Sequence, residues 1–489
     1  MVIVKFFGHA GLMLKGPAAS LLCDPWISTI PIYANTAIKY PFTPSEQVPE
    51  MIDVSHVYIS HHHEDHFHVP SLDLLDRGIT ILISAFEQHE HARASSMFKT
   101  LMKLGFRKII RLRSWESIDI DLGETVRLTL VPSAKSRWHD WENSGLLIET
   151  ADWTGVNLND NITDPELLAQ VAERAPRIDA AFVQGFSSTE FPGAFEMSAR
   201  EKLRLGRQKR GNTDEARKII STLHPRYVTP IAGDIAWYRP VDWIRNYSDK
   251  PTPSRFGKLL ESQALLRSCS YRELFSGDEF NPASGKVERR YGAVNYAGFR
   301  RRVKDQAGRF KALSDCYDEF LEEWDFDGLR YEQSLRAIQA YLPRSLPANI
   351  EGEIDFIVSD KDGQPIRRCA IRGIGKSITV DDKDVRDSRC DQEIEVPAPI
   401  WAECFGGRML RRDILNRCVN RQKLPFRFDI AVLRYLFSLY SDLGDISPWV
   451  RTTAGEAENA NLGLMRHIER HLAPKFSFSE LCDEYIRET

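Results

Sequence analysis

The chain has 489 residues, more than one ordinary core holds, since single cores stop growing near about 250–300 residues. A hydrophobic fraction of 42%, a charged fraction of 27% and a formal net charge of −4 describe a globular chain without the basic excess that holds nucleic acid. No apolar run reaches the roughly 18–20 residues of a membrane-spanning helix, so neither nucleic acid nor a membrane is an expected partner.

The first residues, MVIVKFFGHAG, alternate like a strand and lack a leader's basic flank, which makes the expected setting cytoplasmic. Short apolar runs then predict strands at Val2–Phe7, Leu12–Lys15, Ser20–Cys23, Val57–Ser60, Thr80–Ser84, Val126–Val131, Gly145–Glu149, Gly155–Leu158, Ala180–Gln184 and Tyr227–Ile231. Helical periodicity marks Glu87–Leu104, Pro165–Arg174 and Thr213–Leu223. This alternation predicts sheets covered by helices over residues 1–247. The stretch SDKPTPSRF at 248–256 reads as a linker and domain boundary. Residues 257–345 read as mainly helical, including Asp315–Trp324 and Tyr331–Tyr341. Residues 346–489 read as an α+β accessory domain. It opens on a hairpin with Ile354, Phe356 and Val358 alternating before a turn at Asp360–Gly363, and it returns to helix at Asp429–Tyr440.

Of the eight cysteines, Cys23 stands alone before residue 260 and the rest scatter from Cys269 to Cys482 without a C-x-x-C pair. They read as reduced core thiols. The two Cys-His pairs of an internal Rieske centre are absent.

The strand Val57–Ser60 runs directly into HHHEDH. Imidazoles at His61 and His63 can converge on one ion while Asp65 and His66 turn toward a second, a bridged pair that could share a hydroxide. His62 and His68 fall outside this pattern and suit packing or supporting roles. A third imidazole for the first ion would come from His139, the one histidine between residues 92 and 223, unless that residue only contacts substrate or solvent. A bridging carboxylate is expected at Asp160, just past Gly155–Leu158; Asp164 looks more like a helix cap. The last ligand of the second ion falls to Asp234, beyond Tyr227–Ile231, with His224 before that strand as the alternative. An aspartate there would shift preference from zinc toward iron or manganese. Loop positions beside these ligands place His9, Trp138, Trp141, Trp237, Tyr238 and Arg239 near a substrate, although core packing accounts equally well for any single tryptophan.

HHHEDH contains the H-x-H-x-D-H signature, and residues 1–245 resemble the metallo-β-lactamase superfamily. FFGHAG, LLCDPW, NDN and PIAGD are similar to its branch of lactonase-like enzymes and the non-Rieske part of CMP-sialic-acid hydroxylase. The resemblance implies an αββα sandwich, an α/β fold, holding two divalent metal ions. Asp234 departs from it, standing where the wider family often has a histidine. Residues 349–415 resemble a sterol-carrier-protein-like fold, which implies an apolar ligand or a homodimer through that domain.

The expected activity is metal-dependent hydrolysis of an ester, lactone, thioester or phosphoester in a small molecule, with Asp65 orienting the attacking water or shuttling its proton. The alternative is a di-iron oxygenase, a hydroxylase drawing electrons from a redox partner. A non-catalytic binding protein is the third reading, disfavoured by the complete ligand set.

Overall fold

A computed structural model describes residues 1–32, 36–41, 43–61, 63–85, 93–133, 143–161, 163–185, 195–208, 213–238, 253–292, 352–360, 362–374, 377–383, 390–398 and 419–422, with isolated positions between.

The strands in chain order are β1 (Ile3–Phe6), β2 (Leu12–Lys15), β3 (Ser20–Cys23), β4 (Ala37–Lys39), β5 (His56–Ile59), β6 (Thr80–Ser84), β7 (Lys108–Leu112), β8 (Ser117–Asp121) and β9 (Thr125–Pro132). They continue with β10 (Ser144–Glu149), β11 (Thr154–Asn159), β12 (Ala180–Gln184), β13 (Tyr227–Ile231), β14 (Ile235–Trp237), β15 (Ser270–Tyr271), β16 (Glu279–Asn281) and β17 (Lys286–Glu288). Among the described residues these make two large mixed sheets, β17-β16-β1-β2-β3-β5-β6-β7 and β15-β13-β12-β11-β10-β9-β8, and a small pair, β14-β4.

Alternation along the strands decides the layers. Val4 and Phe6 pair with Leu14 and Leu12, and these side chains meet Leu128, Leu146 and Phe182 of the other sheet in one buried cluster. The intervening Met13, with Leu22, Val57 and Ile59, faces outward against Met97 and Leu101 of the helix Arg93–Lys103. The outer face of the second sheet packs Val156, Ala181 and Val228 against the helices Pro165–Arg174, Thr213–Leu223 and Pro253–Ser262. Helix, sheet, sheet, helix is the expected αββα sandwich, and each interface buries the face that strand or helix periodicity makes apolar.

The expected boundary at 248–256 needs correction. Pro253 opens a helix whose Phe256 and Leu260 are buried in the second sheet's outer cluster. Beyond it, β15 extends the second sheet, and the β16–β17 hairpin pairs antiparallel with β1 at the edge of the first. The sandwich therefore runs to at least Glu288. Prolines suggest a linker by composition, but proline also suits a helix's first turn, where no N–H is needed.

A second sheet region follows, β20-β19-β18-β21-β22 among the described residues, built from β18 (Gly352–Ser359), β19 (Pro365–Ile374), β20 (Ser377–Lys383), β21 (Gln392–Pro397) and β22 (Val419–Gln422). The expected hairpin is β18–β19, with Phe356 opposite Cys369. The helices expected at Asp315–Trp324 and Asp429–Tyr440 lie outside the described residues. The described cysteines Cys23, Cys269, Cys369 and Cys390 are buried and form no disulfide with one another. No helix of the described residues is long and apolar enough to cross a membrane.

Candidate metal centre

The sandwich brings several loop ends together. In the first sheet β3, β5, β6 and β7 run parallel, and in the second β11, β12 and β13 do. Their C-terminal ends carry Asp24 after β3, the HHHEDH loop after β5, Asp160 after β11 and Asp234 after β13. The β1–β2 turn adds His9. Left-handed backbone, uncommon outside glycine, is found here at His9 (φ 53°), Asp24 (φ 43°), Asn159 (φ 53°) and Ala232 (φ 63°). Such conformations persist only where surrounding contacts impose them, and they gather at functional sites.

Two trios of ligand-type atoms lie within 4.8 Å of one another: His61, His66 and Asp160, and His9, Asp65 and His66. His66 is common to both and fully buried. Its Nδ1 donates to Asp24 Oδ2 at 2.9 Å. That leaves Nε2 facing Asp65 Oδ2 at 3.7 Å and Asp160 Oδ2 at 3.6 Å, buried and with no hydrogen-bond partner. A buried polar atom is normally satisfied, and one aimed at two carboxylates is what a divalent cation would satisfy. The donor set of imidazole nitrogens and carboxylate oxygens fits zinc, iron or manganese.

Asp24, not singled out in the sequence, anchors the cluster. Its Oδ1 accepts from Ser60 N and its Oδ2 from Ser60 Oγ, each at 2.8 Å, and Asn159 Nδ2 donates to Oδ2 as well. Because the Ser60 hydroxyl gives its proton to Asp24, it accepts from His61 Nδ1 at 2.9 Å, and His61 Nε2 is left to face His63 Nδ1 at 2.7 Å. One carboxylate thus fixes the tautomers of two histidines, the arrangement by which metal-ligating imidazoles are oriented.

The charges are strongly coupled. Burial pushes the His66 pKa down, but the Asp65, Asp160 and Asp24 carboxylates outweigh it and hold it well above the usual imidazole value. Burial likewise works to raise Asp65, yet His66, His9 and His63 hold that carboxyl well below its usual range. His68, by contrast, is pushed down to about 3, mainly by burial. Neutral, it receives the Ser71 hydroxyl proton at Nδ1 (2.7 Å), since Ser71 Oγ already accepts from Ile27 N and Ser28 N. His68 therefore props the loop that follows Trp26.

His61, Asp65, His66 and Asp160 converge in the trios, and His63 touches His61. Asp160 is steadied through its main-chain carbonyl, which accepts from Asn143 Nδ2 at 3.0 Å. Asp164 caps the helix Pro165–Arg174 by accepting from Leu167 N at 2.8 Å. Asp234 belongs to neither trio; its Oδ2 accepts the His9 main-chain N–H at 2.8 Å. His224 is exposed at the opposite end of β13. Trp237, the last residue of β14, pairs with Ala37 of β4 and is 1% exposed, packed with Trp26, Ile32, Ala37 and Ile235. Tyr238 is equally buried. His139, Trp138, Trp141 and Arg239 lie outside the described residues.

The αββα sandwich gathers histidine and aspartate side chains on the loops at one end of its sheets, and its layering is that of the metallo-β-lactamase fold. The family model for the beta-lactamase superfamily domain matches residues 3–154. A Mycobacterium tuberculosis protein named for a Rieske 2Fe-2S iron-sulfur centre is 28% identical over 247 residues, 48% of this chain and 45% of that protein. The cytidine monophosphate-N-acetylneuraminic acid hydroxylase of Danio rerio is 22% identical over 275 residues, 54% of this chain and 44% of its own. The chain thus spans about half the length of these curated relatives. The solved isothiocyanate hydrolase from Delia radicum gut bacteria is similar with a TM-score of 0.41 and 12% identity, covering 57% of this chain and 99% of that one.

Proposed function

We propose that this protein is a metal-dependent hydrolase with a binuclear centre, acting on an ester, lactone, thioester or phosphoester bond of a small molecule. The observation that carries the proposal is His66, buried with Nδ1 tied to Asp24 and Nε2 turned without a hydrogen bond toward Asp65 and Asp160. Divalent cations, when bound, would supply Lewis acidity to the substrate's electrophilic oxygen and lower the pKa of water. The first would be held by His61, His63 and His139, the second by Asp65 and His66, with Asp160 reaching both. Asp65, held ionised, is the group that orients the attacking water and takes its proton. Asp24 and Ser60 keep His61 and His66 in the tautomers that present Nε2.

A second reading is oxidation of the substrate at a di-iron centre fed by an external electron donor. The names of the two curated relatives favour it, one for a Rieske centre and one for a hydroxylase. The choice is tested by reloading the metal-free full-length chain with zinc, manganese or iron(II). It is then assayed on a panel of esters, lactones, thioesters and phosphodiesters in anaerobic buffer without reductant. Turnover there supports hydrolysis; turnover only with oxygen and an electron donor supports oxidation. We read residues 346–489 as an accessory domain that contributes an apolar substrate pocket or a dimer contact, and the protein as cytoplasmic.

A further inference from the structure

Asp234 completes the second ion's set in the sequence, yet it lies against the Gly8–His9 turn. We propose that His9 is the imidazole ligand of the second ion and that Asp234 is a positioning residue that holds His9 in place. This rests on the binuclear reading above and assigns one of its ligands.

The spacing favours coordination. His9 Nε2 is 3.1 Å from Asp65 Oδ2, and His66 Nε2 is 3.7 Å from the same oxygen. Donors arranged tetrahedrally at about 2.05 Å from one ion stand about 3.3 Å apart, so the trio has the dimensions of three ligands around a single cation. His9 is 2% exposed. Its ring is fixed from two sides, meeting Trp26 edge-on at 5.2 Å and His66 at 5.4 Å between centroids.

The backbone is built to present it. Phe7 N donates to Gly11 O at 2.8 Å and Gly11 N to Gly8 O at 2.9 Å, closing a tight turn between β1 and β2. Gly8 (φ 86°) passes so close to the strand ends that a Cβ there would lie 3.0 Å from Asp234 Oδ2 and 3.2 Å from Lys39 Cε. His9 itself adopts φ 53°, clamped by its N–H on Asp234 Oδ2 at 2.8 Å and by its carbonyl, which accepts from Ala232 N at 2.7 Å. Asp234 and Ala232 sit on one loop, so the segment that would have supplied a ligand instead grips the main chain of the residue that does. A left-handed histidine is uncommon and persists only where its surroundings impose it, which is consistent with a ring that must reach a fixed point.

The test titrates metal-free full-length chain with cobalt(II), following uptake by equilibrium dialysis and the visible cobalt bands. Wild type takes up two equivalents. His9→Asn, chosen because asparagine tolerates the left-handed backbone but lacks the imidazole's reach, should bind one equivalent as before and the second at least about 30-fold more weakly. Asp234→Asn keeps an oxygen to accept the His9 N–H and should hold both equivalents within about threefold, whereas Asp234→Ala should weaken the second alone. Circular dichroism of each metal-free variant confirms the fold. Unchanged two-step binding in His9→Asn, or loss of the second ion in Asp234→Asn with His9→Asn unaffected, overturns the assignment. A wild type that takes up no cobalt overturns the binuclear reading itself.

Discussion

Asp24 Oδ2 accepts the Nδ1–H of His66 at 2.9 Å, with both residues fully buried. The same carboxylate reaches His61 through the Ser60 hydroxyl, so an aspartate that belongs to neither trio sets the orientation of an imidazole in each.

Asp24→Ala should therefore lower the affinity for both ions, by about 10–100-fold, the usual cost of losing a ligand's outer partner. Asp24→Asn should fall between the variant and wild type, because its amide can accept only at one oxygen. Equilibrium dialysis against a chelator-buffered metal series checks this; affinities unchanged within threefold in Asp24→Ala would show that the hydrogen bond does not orient the ligands.

Asp160 is a ligand only on the proposed reading, whereas Asp164 caps a helix. Asp160→Asn should lose at least one ion per chain with little change in metal-free stability. Asp164→Ala should keep both ions but cost about 1 kcal/mol of stability, the typical worth of an N-cap. Metal analysis and denaturant melts on the two variants check the contrast, which fails if both lose metal equally.

The protonation pattern gives loading a definite pH dependence. In the metal-free chain His66 is held well above the usual imidazole pKa by Asp65, Asp160 and Asp24, against burial. Its stabilising contribution is thus complete below the unfolded value of about 6.5 and is lost as pH rises through the raised folded value. Asp65, held low chiefly by His66 against burial, contributes above its unfolded value of about 3.9, and that contribution is lost as pH falls through its lowered folded value. An incoming ion must displace the His66 proton, so apparent affinity should rise roughly tenfold per pH unit from pH 6 upward until that group titrates. Calorimetric loading in two buffers of different ionisation enthalpy should show about one proton released; no release at pH 7 would contradict the assigned charge state.

Much of the sandwich is legible in the sequence because its strands obey simple periodicity. Leu12–Lys15, Ser20–Cys23, Thr80–Ser84, Ala180–Gln184 and Tyr227–Ile231 fall where the apolar runs place them, and HHHEDH follows a strand as expected. Less legible are the short or polar strands. β8, SIDID, buries Ile120 but leaves its charged residues exposed, and the three-residue strands β16 and β17 pair with each other, β16 also with the edge of β1. The hydrogen bonds that support the site are less legible for the same reason. An aspartate after LLC looks like any turn residue until β3 pairs beside β5, Cys23 opposite Tyr58. Asp234 looks like a ligand by position, and sequence cannot show that its Oδ2 accepts the main-chain N–H of His9 on the β1–β2 turn. The positive φ at His9 was hidden too, although a histidine directly after glycine in a turn of FFGHAG was a signal available to be weighed.

The extended boundary makes a prediction for truncation. A chain ending near residue 250 loses the helix Pro253–Ser262 and β15–β17, uncovering Phe256's and Phe280's packing partners in both apolar clusters. It should be insoluble or unfold at much lower denaturant than a chain ending just after residue 292, which keeps them. Equal solubility and unfolding midpoints in the two would place the end of the sandwich at the earlier position.

The central claim, two divalent ions in the His61–His66 and Asp160 cluster, is tested most directly by anomalous diffraction from crystals of the metal-loaded protein, collected at the zinc, iron and manganese edges. The account predicts two peaks sharing Asp160 and lying within coordination distance of His61 and His63 for one, and of Asp65 and His66 for the other. A single peak, no peak in metal-replete crystals, or density remote from His66 Nε2 would contradict it.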